Sequence, residues 1–447
     1  MANCQQCGTK LPSFSFGEVS RYCKNCRSQL VAAVESQPVE SRHAERVLTP
    51  ATYSLVAINV AVFIAMIASG ISWFDPDTDQ VLHWGANYGP DTLSGQYWRV
   101  ITSMFIHFGV IHIAANMVCL WSLGRLAEKF LGAWTLTSIY LATGVGGALL
   151  SLSWDPMRVS AGASGAIFGI AGTLITVLYY GKLSLEPAQV RHLLGYVVRF
   201  SLLNLLFGLK SHVDNMAHLG GLVTGLVIGL FLARTFNSVP EERGTLRRNI
   251  LIASAAVLLV LFVPVARAKQ YAVDLGKGLN AYDKKDYASA INFLQRYTAA
   301  QPQDSYGHAL LGASLQSQSR LDEAVVEYEK GLSVSPDYWY IQINLANLYL
   351  YQKKPEKAVP LYQKAMLRKP LDAETMYSLG DALQQTGKLP EAETALRKSI
   401  DSDDKSVEAH QLLSDVLKDE GKKDEARKER KTAELLKNQA SASGAAQ

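Results

Sequence analysis

Ser164 and His218 are the two residues of this chain whose types and surroundings suit nucleophilic chemistry. Ser164 sits in Gly162-Ala163-Ser164-Gly165 and His218 in Ala217-His218-Leu219-Gly220-Gly221, both within long uncharged apolar runs. A serine hydroxyl becomes a nucleophile when a base takes its proton, and an imidazole at hydrogen-bond distance is the usual base. Each residue alone has a plainer reading: a serine in a membrane helix bonds back to its own backbone, and a lone histidine bridges helices. His112 and Asn116 stand at i and i+4, on one face of a helix. Their side chains, with the Ser164 backbone N–H, could donate to the oxyanion of a tetrahedral intermediate. The plainer alternative for them is a buried polar pair holding helices together.

Spacing of small residues says what must bring the serine and histidine together. Ala161, Gly165, Gly169 and Thr173 recur every four residues around Ser164, and Ala217, Gly221, Gly225 and Gly229 do so around His218. Two such ridges let helices approach closely in a membrane. Ser164 and His218 each lie beside a ridge, within the first turn or so of one helix end, so a hydrogen bond between them is geometrically plausible. Asp214, four residues before His218, could be a third member, but an aspartate just before a helix more often caps it.

The runs that hold these residues lie at about 52–72, 100–124, 134–153, 160–181, 200–209, 215–233 and 250–266. Most approach the ~20 residues needed to cross the hydrocarbon layer, which predicts seven spans. Arg199 interrupts the fifth unless that helix begins near Leu194. The second run is longer than a span needs; a helix starting near Gly109 would put His112 and Asn116 near the same end as Ser164. With the N-terminus in the cytoplasm, the cytoplasmic segments carry Arg42, Arg46, Arg125, Lys129, Lys182, Arg191, Arg199, Arg234, Arg243, Arg247 and Arg248. The outer loops carry only Arg99, Arg158 and Lys210, and the loop from 73 to 98 is acidic. The positive-inside rule therefore predicts a cytoplasmic N-terminus and places everything after Arg267 outside, most simply across a bacterial plasma membrane. No signal peptide is visible.

The remaining segments divide sharply by composition. Charged residues are 19% of the 447, sparse from about 50 to 267 and dense afterwards. A net charge of +4 leaves no footprint of the size nucleic-acid binding needs. At the N-terminus, Cys4-x-x-Cys7 and Cys23-x-x-Cys26 with fifteen residues between the pairs match a four-thiolate zinc pattern. Such a metal is structural, because four cysteines leave no open coordination position; two disulfides or a one-iron site are the alternatives. Cys119, in an apolar run, reads as an inert core residue. No His-Glu-x-x-His occurs, and His107 and His112 have no glutamate between them, which argues against metal catalysis.

After the last span the sequence repeats every 34 residues. Small residues recur at Ala290, Ala324, Ala358, Ala392 and Ala426 and at Gly278, Gly312, Ala346, Gly380 and Ser414, with Pro302, Pro336 and Pro370 as punctuation. This resembles the tetratricopeptide repeat, in four copies plus a partial fifth, and implies a surface that binds a peptide or protein.

The membrane part resembles the rhomboid family of intramembrane serine proteases. The matching stretches are Tyr97-Trp98-Arg99, His107 with His112-Ile113-Ala114-Ala115-Asn116, the motif around Ser164 and the motif around His218. The resemblance covers about residues 52–235. It implies a six-helix core, a Ser164–His218 dyad with no required acidic member and no catalytic cofactor, and an oxyanion hole of His112, Asn116 and the Ser164 backbone. The expected protein is mainly α: a zinc-ribbon-like module (1–30), a linker (31–50), a six-span core (51–235), a cytoplasmic linker with a seventh span (236–267), an α-solenoid of repeats (268–438) and a disordered tail (439–447). The expected function is hydrolysis of peptide bonds in or beside transmembrane segments of membrane-protein substrates. The alternative is a catalytically silent membrane adaptor that binds client proteins. Expected partners are those substrates, a peptide or protein ligand of the repeats and the lipid bilayer.

Overall fold

Pro50, Pro187 and Pro240 each open a helix, the position where a missing N–H costs nothing. The structure is a computed structural model; it describes residues 48–208, 213–370 and 372–444, and residues 3, 4, 6–10, 22, 23, 25, 26, 28 and 29 before them. Most of the expected linker 31–50, and Arg42, Arg46 and Lys210 of the charge argument, lie outside the described residues. The described chain is almost wholly α-helical, with two isolated bridges in place of any strand. It divides into two compact units, Met1–Gly276 and Lys277–Gln447.

Seven helices build the apolar part of the first unit: α1 (Pro50–Ala68), α2 (Val110–Leu131), α3 (Ala133–Trp154), α4 (Ser164–Tyr180), α5 (Pro187–Gly208), α6 (Asn215–Thr235) and α7 (Pro240–Ala268). Seven spans are expected from the apolar runs; five of these helices, α1, α2, α3, α6 and α7, are long and apolar enough to cross a membrane on their own. α4 is a shorter apolar helix of 17 residues. α5 is not confined to the expected 200–209: it starts at Pro187 and takes in Arg191, His192 and Arg199, which dilute its hydropathy. α2 starts at Val110 rather than 100, because Gly109 at φ 86° breaks the backbone ahead of it. The residues between α1 and α2 form short helices at Thr78–His83 and Gly89–Leu93 and a helical turn at Arg99–Thr102. Arg99 organises this loop from inside, donating to the carbonyls of Leu82 at 2.7 Å and Ala86 at 2.9 Å and pairing with Asp91 at 3.1 Å.

α4 is buried along nearly its whole length, as an apolar helix with no solvent face should be. It lies between α2, α3, α5 and α6, and its Ile167, Ile170 and Leu174 meet Leu120, Leu136, Ile139 and Ile228 in one core. α3, α4 and α6 touch through glycines. A Cβ on Gly221 would strike the carbonyl of Gly165, one on Gly225 the carbonyl of Gly169, and one on Gly147 the carbonyl of Ala217. Thr173 Oγ1 donates to the Gly225 carbonyl at 3.1 Å across the same seam. Backbones in such proximity gain dispersion where water supplies no driving force. Helix ends are satisfied by remote side chains: the Glu128 carboxylate accepts from the N–H groups of Ala51 and Thr52, both at 2.9 Å, and from the Thr52 hydroxyl at 2.6 Å. Arg247 at the start of α7 donates to the Leu131 carbonyl at the end of α2, at 2.8 Å.

From Gln270 onward the chain is a run of antiparallel helix pairs: α8 (Gln270–Asp283), whose residues up to Gly276 belong to the first unit, with α9 (Tyr287–Ala300), α10 (Ser305–Ser317) with α11 (Leu321–Val334), α12 (Trp339–Tyr351) with α13 (Pro355–Met366), α14 (Ala373–Gln385) with α15 (Leu389–Ser402), and α16 (Val407–Asp419) with α17 (Lys423–Gly444). These are tetratricopeptide-type repeats, and the fifth, expected to be partial, has both helices. The 34-residue period appears in the backbone too: Lys285, Ser319, Lys353, Gly387 and Gly421 all have positive φ, at the same turn of successive pairs. Ala290, Ala324, Ala358 and Ala392 are fully buried at the crossings. A Cβ on Gly312 would press on the Tyr328 ring at 2.6 Å, and one on Gly380 on Leu396 at 2.6 Å. α17 runs to Gly444, so 439–444 are helical where a disordered tail is expected; residues 445–447 lie outside the described residues. Alanines there suit a helix already nucleated by the preceding turns.

Candidate active site

Ser164 is the first residue of α4, and His218 lies in the first turn of α6. The glycine seam between these helices brings the serine hydroxyl Oγ to 2.8 Å from Nε2 of the imidazole. His218 is buried and stacks on Phe168, ring centroids 4.4 Å apart and planes 18° from parallel. Phe168 is one turn after Ser164, so helical spacing puts it on the serine's side; sequence reasoning passed over it because an aromatic in a core run needs no special reading. Ala161, expected to start the α4 ridge, precedes the helix, and the ridge begins at Gly165.

Asp214 caps α6, accepting from the Ala217 N–H at 3.0 Å, and its second oxygen takes the Ser151 hydroxyl at 2.5 Å. Nδ1 of His218 has no hydrogen-bond partner among the described residues. The geometry is thus a serine–histidine pair with the neighbouring carboxylate occupied elsewhere.

His112 and Asn116 reach the same place from α2. The N–H of Phe108 donates to His112 Nδ1 at 3.3 Å, which in a neutral ring puts the proton on Nε2. That Nε2 would lie 2.9 Å from a Cβ built on Gly162, and Asn116 Nδ2 3.7 Å from it. Gly162, at φ 126°, therefore lies directly against the His112 ring with no room for a side chain, and its N–H is tied to the Ser103 carbonyl at 2.8 Å. Asn116 spends one amide hydrogen on the His112 carbonyl at 3.1 Å and keeps another. His107, fully buried, accepts from the Ala163 N–H at 3.5 Å and sits edge-on to the His112 ring. The first N–H groups of α4 have no intrahelical acceptor, and its dipole is positive at that end. Donors from a helix terminus, an imidazole and an amide thereby gather near Ser164, next to a hydroxyl with a base.

At the N-terminus the four sulfurs of Cys4, Cys7, Cys23 and Cys26 all lie within 4.8 Å of one another. A tetrahedron with ~2.3 Å metal–sulfur bonds spaces its sulfurs about 3.8 Å apart, so the set fits one metal ion. A tight turn presents the first pair: the Gly8 N–H donates to the Cys4 carbonyl at 2.9 Å, with Gly8 at φ 73°. The Cys23 N–H donates to the Cys4 sulfur at 3.1 Å, a bond that favours the thiolate a metal requires.

Residues 94–235 match the family model of the Rhomboid domain, and 275–335 and 343–407 match that of the tetratricopeptide repeat. The rhomboid protease GluP of Bacillus subtilis (strain 168) is 26% identical over 349 residues, 77% of this chain and 66% of that protein. The rhomboid protease AarA of Providencia stuartii is 29% identical over 233 residues, 47% of this chain and 80% of that one. RHOMBOID-like protein 1 of Arabidopsis thaliana is 35% identical over 154 residues, 33% of this chain and 39% of that one. The chain spans less than two thirds of the length of the first and third.

Proposed function

We propose that this chain, which carries a rhomboid domain followed by tetratricopeptide repeats, is an intramembrane serine endopeptidase that cuts membrane proteins in or beside their transmembrane segments. The observation that carries the reading is the 2.8 Å approach of Ser164 Oγ to His218 Nε2 at the open N-terminus of a buried helix. α4 is only 17 residues, roughly 26 Å at 1.5 Å per residue, so its first residue sits short of a full crossing and the site is recessed.

As Ser164 Oγ attacks the scissile carbonyl carbon, its proton passes to His218 Nε2. The carbonyl oxygen becomes an oxyanion and takes hydrogen bonds from the Ser164 N–H, His112 Nε2–H and Asn116 Nδ2–H. His218 then gives its proton to the leaving amine nitrogen as the C–N bond breaks. A water, deprotonated by the same histidine, hydrolyses the acyl-serine and restores the hydroxyl. Phe168 holds the imidazole in plane throughout. A catalytically silent adaptor would keep the fold without needing a reactive serine.

Native protein and Ser164→Ala, compared against tagged single-span proteins in membranes, decide between these. Cleavage by the native chain alone supports the protease, and equal cleavage by both sinks it. For orientation, external protease on intact cells should digest the repeats and spare the first 40 residues; protection of both ends would remove the crossing assigned to α7. The four-cysteine module is assigned one structural Zn²⁺. Replacing Cys4 and Cys23 should lose about one zinc per chain by elemental analysis and leave cleavage of a minimal substrate, whereas loss of that cleavage on zinc removal alone would refute a purely structural metal.

A further inference from the structure

The six helices around Ser164 would close the site, yet α7 and the start of α8 are built into it from outside. Ala272 and Val273 are buried with Leu93, Val100, Ala148 and Leu152, and Phe262 and Val265 pack on the same cluster. Phe262 meets Tyr97 edge to face at 5.3 Å, and Lys269 Nζ donates to the Trp154 carbonyl at 3.4 Å. Gly276 lies so close to the short helix Gly89–Leu93 that a Cβ there would overlap the Pro90 carbonyl.

That short helix is in turn joined to the segment leading into the serine. The Gly89 N–H donates to the Pro156 carbonyl at 2.7 Å, and no Cβ fits at Gly89 against Pro156. Asn87 and Ser160 exchange both backbone hydrogen bonds, each at 2.9 Å. Two residues further on, Gly162 lies directly against the His112 ring, where a Cβ would come within 2.9 Å of Nε2 and 3.7 Å of Asn116 Nδ2. From Val273 to Ser164 the chain of contacts is unbroken, and every link after the first is a backbone hydrogen bond or a fit only glycine allows.

The geometry points to residues 262–276 as a positioning strap: by clamping the helix Gly89–Leu93 they hold the 155–163 segment, and through it the placement of Gly162 and Ser164 against His112 and Asn116, in the reactive arrangement. This rests on the protease reading and adds Val273 and Gly276 as positioning residues that touch neither substrate nor Ser164. The strap acts on the transition state more than on substrate capture, because the donors it aligns serve the oxyanion and not the bulk of a transmembrane helix.

The test uses the full chain in membranes, with Val273→Ala, which removes packing, and Gly276→Leu, which wedges the contact. A fluorophosphonate reports reactivity at Ser164, a tagged single-span protein reports kcat and KM, and hydrogen exchange reports peptides covering 86–93 and 155–163. Both variants should speed exchange in those peptides and leave that of α4 and α6 as in the native chain. They should lower labelling and kcat with KM unchanged, roughly tenfold for Gly276→Leu and less for Val273→Ala. Val273→Ile should restore native values. Faster exchange at 155–163 with native kcat overturns the strap, and so does a fall in kcat with no change in exchange there. If Gly276→Leu does not accumulate, Val273→Ala and Val273→Ile decide alone. A native protein that never labels at Ser164 would instead defeat the protease reading, a separate failure.

Discussion

Both units bury histidines, and they hold them in opposite ways. In the membrane unit His218 offers Nε2 to a hydroxyl, which can donate or accept, and Nδ1 to no partner among the described residues. In the repeats His308 has the Glu327 carboxylate at 2.7 Å on Nδ1 and the Pro302 carbonyl at 3.1 Å on Nε2. His410, three periods on, repeats this with Glu429 at 2.6 Å and the Asp404 carbonyl at 3.2 Å. Both nitrogens of these rings are therefore committed, and with Glu327 ionised the pair of acceptors at His308 suits an imidazolium. At the first of the two intervening positions, 34 residues after His308, Gln342 makes the carbonyl bond to Pro336 at 2.7 Å with no charge at all. The His218 ring keeps one nitrogen uncommitted among the described residues, while His308 and His410 use both, one on the paired helix and one on the loop before their own.

The largest effect should separate the two kinds. His218→Ala should abolish cleavage to the same degree as Ser164→Ala, because nucleophile and base act as one unit. His308→Ala should spare the rate at which a fluorophosphonate labels Ser164 while loosening the repeats in hydrogen exchange. Equal loss of labelling in both would break the comparison. Next in size, replacing His112 or Asn116 by alanine should cost about 10²–10³ in kcat for each oxyanion donor lost. Serine labelling by a neutral, non-oxyanionic alkylator would stay native if their role is confined to the oxyanion.

A smaller effect is a pH dependence confined to the repeats. The bond to Glu327 raises the His308 pKa above its ordinary 6.5, against burial, which lowers it. Glu327 is pushed up by burial but held below its ordinary value by His308 and by Lys330 at 2.7 Å. A raised histidine pKa contributes stability that is complete below the unfolded value of about 6.5 and fades as pH rises through the folded one. Raising pH from 6 to 9 should therefore lower the protection factors across 302–334, taken after correction for the intrinsic rise of amide exchange with pH, an effect on the order of 1 kcal/mol. His308→Gln, imitating Gln342, should flatten that response, and an unchanged pH response in it would show that His308 is not the titrating group. The smallest effect lies in the turns: Lys353→Gly relieves a positive φ of 60° and should be neutral to slightly stabilising, within about 0.5 kcal/mol, while Gly387→Val should cost about 1 kcal/mol or more. Thermal unfolding of the repeat unit would measure both.

Much of this was readable in advance, unevenly. The repeats could be read from period alone, because each pair contacts its neighbours at fixed offsets and small residues must recur at each crossing. The seam of Gly165, Gly169, Gly221 and Gly225 was visible by the same logic in the membrane unit. Gly146 and Gly147 of α3 were not, since their contacts, Thr224 and the Ala217 carbonyl, lie far along the chain. Phe168 and the role of Gly162 were hidden for a different reason: one looks like any core aromatic, and the other matters through a positive φ and a close approach to His112 that no pattern of types encodes.

The amino-acid order by itself determined which segments are apolar, where 34-residue periods run, that Ser164, His218, His112 and Asn116 lie amid hydrophobic runs, and that four cysteines stand at zinc spacing. Those are properties of composition and local repetition, set by the transfer of side chains from water and by helix geometry. Only the tertiary structure decided that Asp214, expected as the cap of α6, also takes the Ser151 hydroxyl, and that residues 262–276 reach the loop joined to the segment ahead of Ser164. Each of these depends on contacts between residues distant in sequence, fixed by which backbones can approach once every helix is packed at the same time.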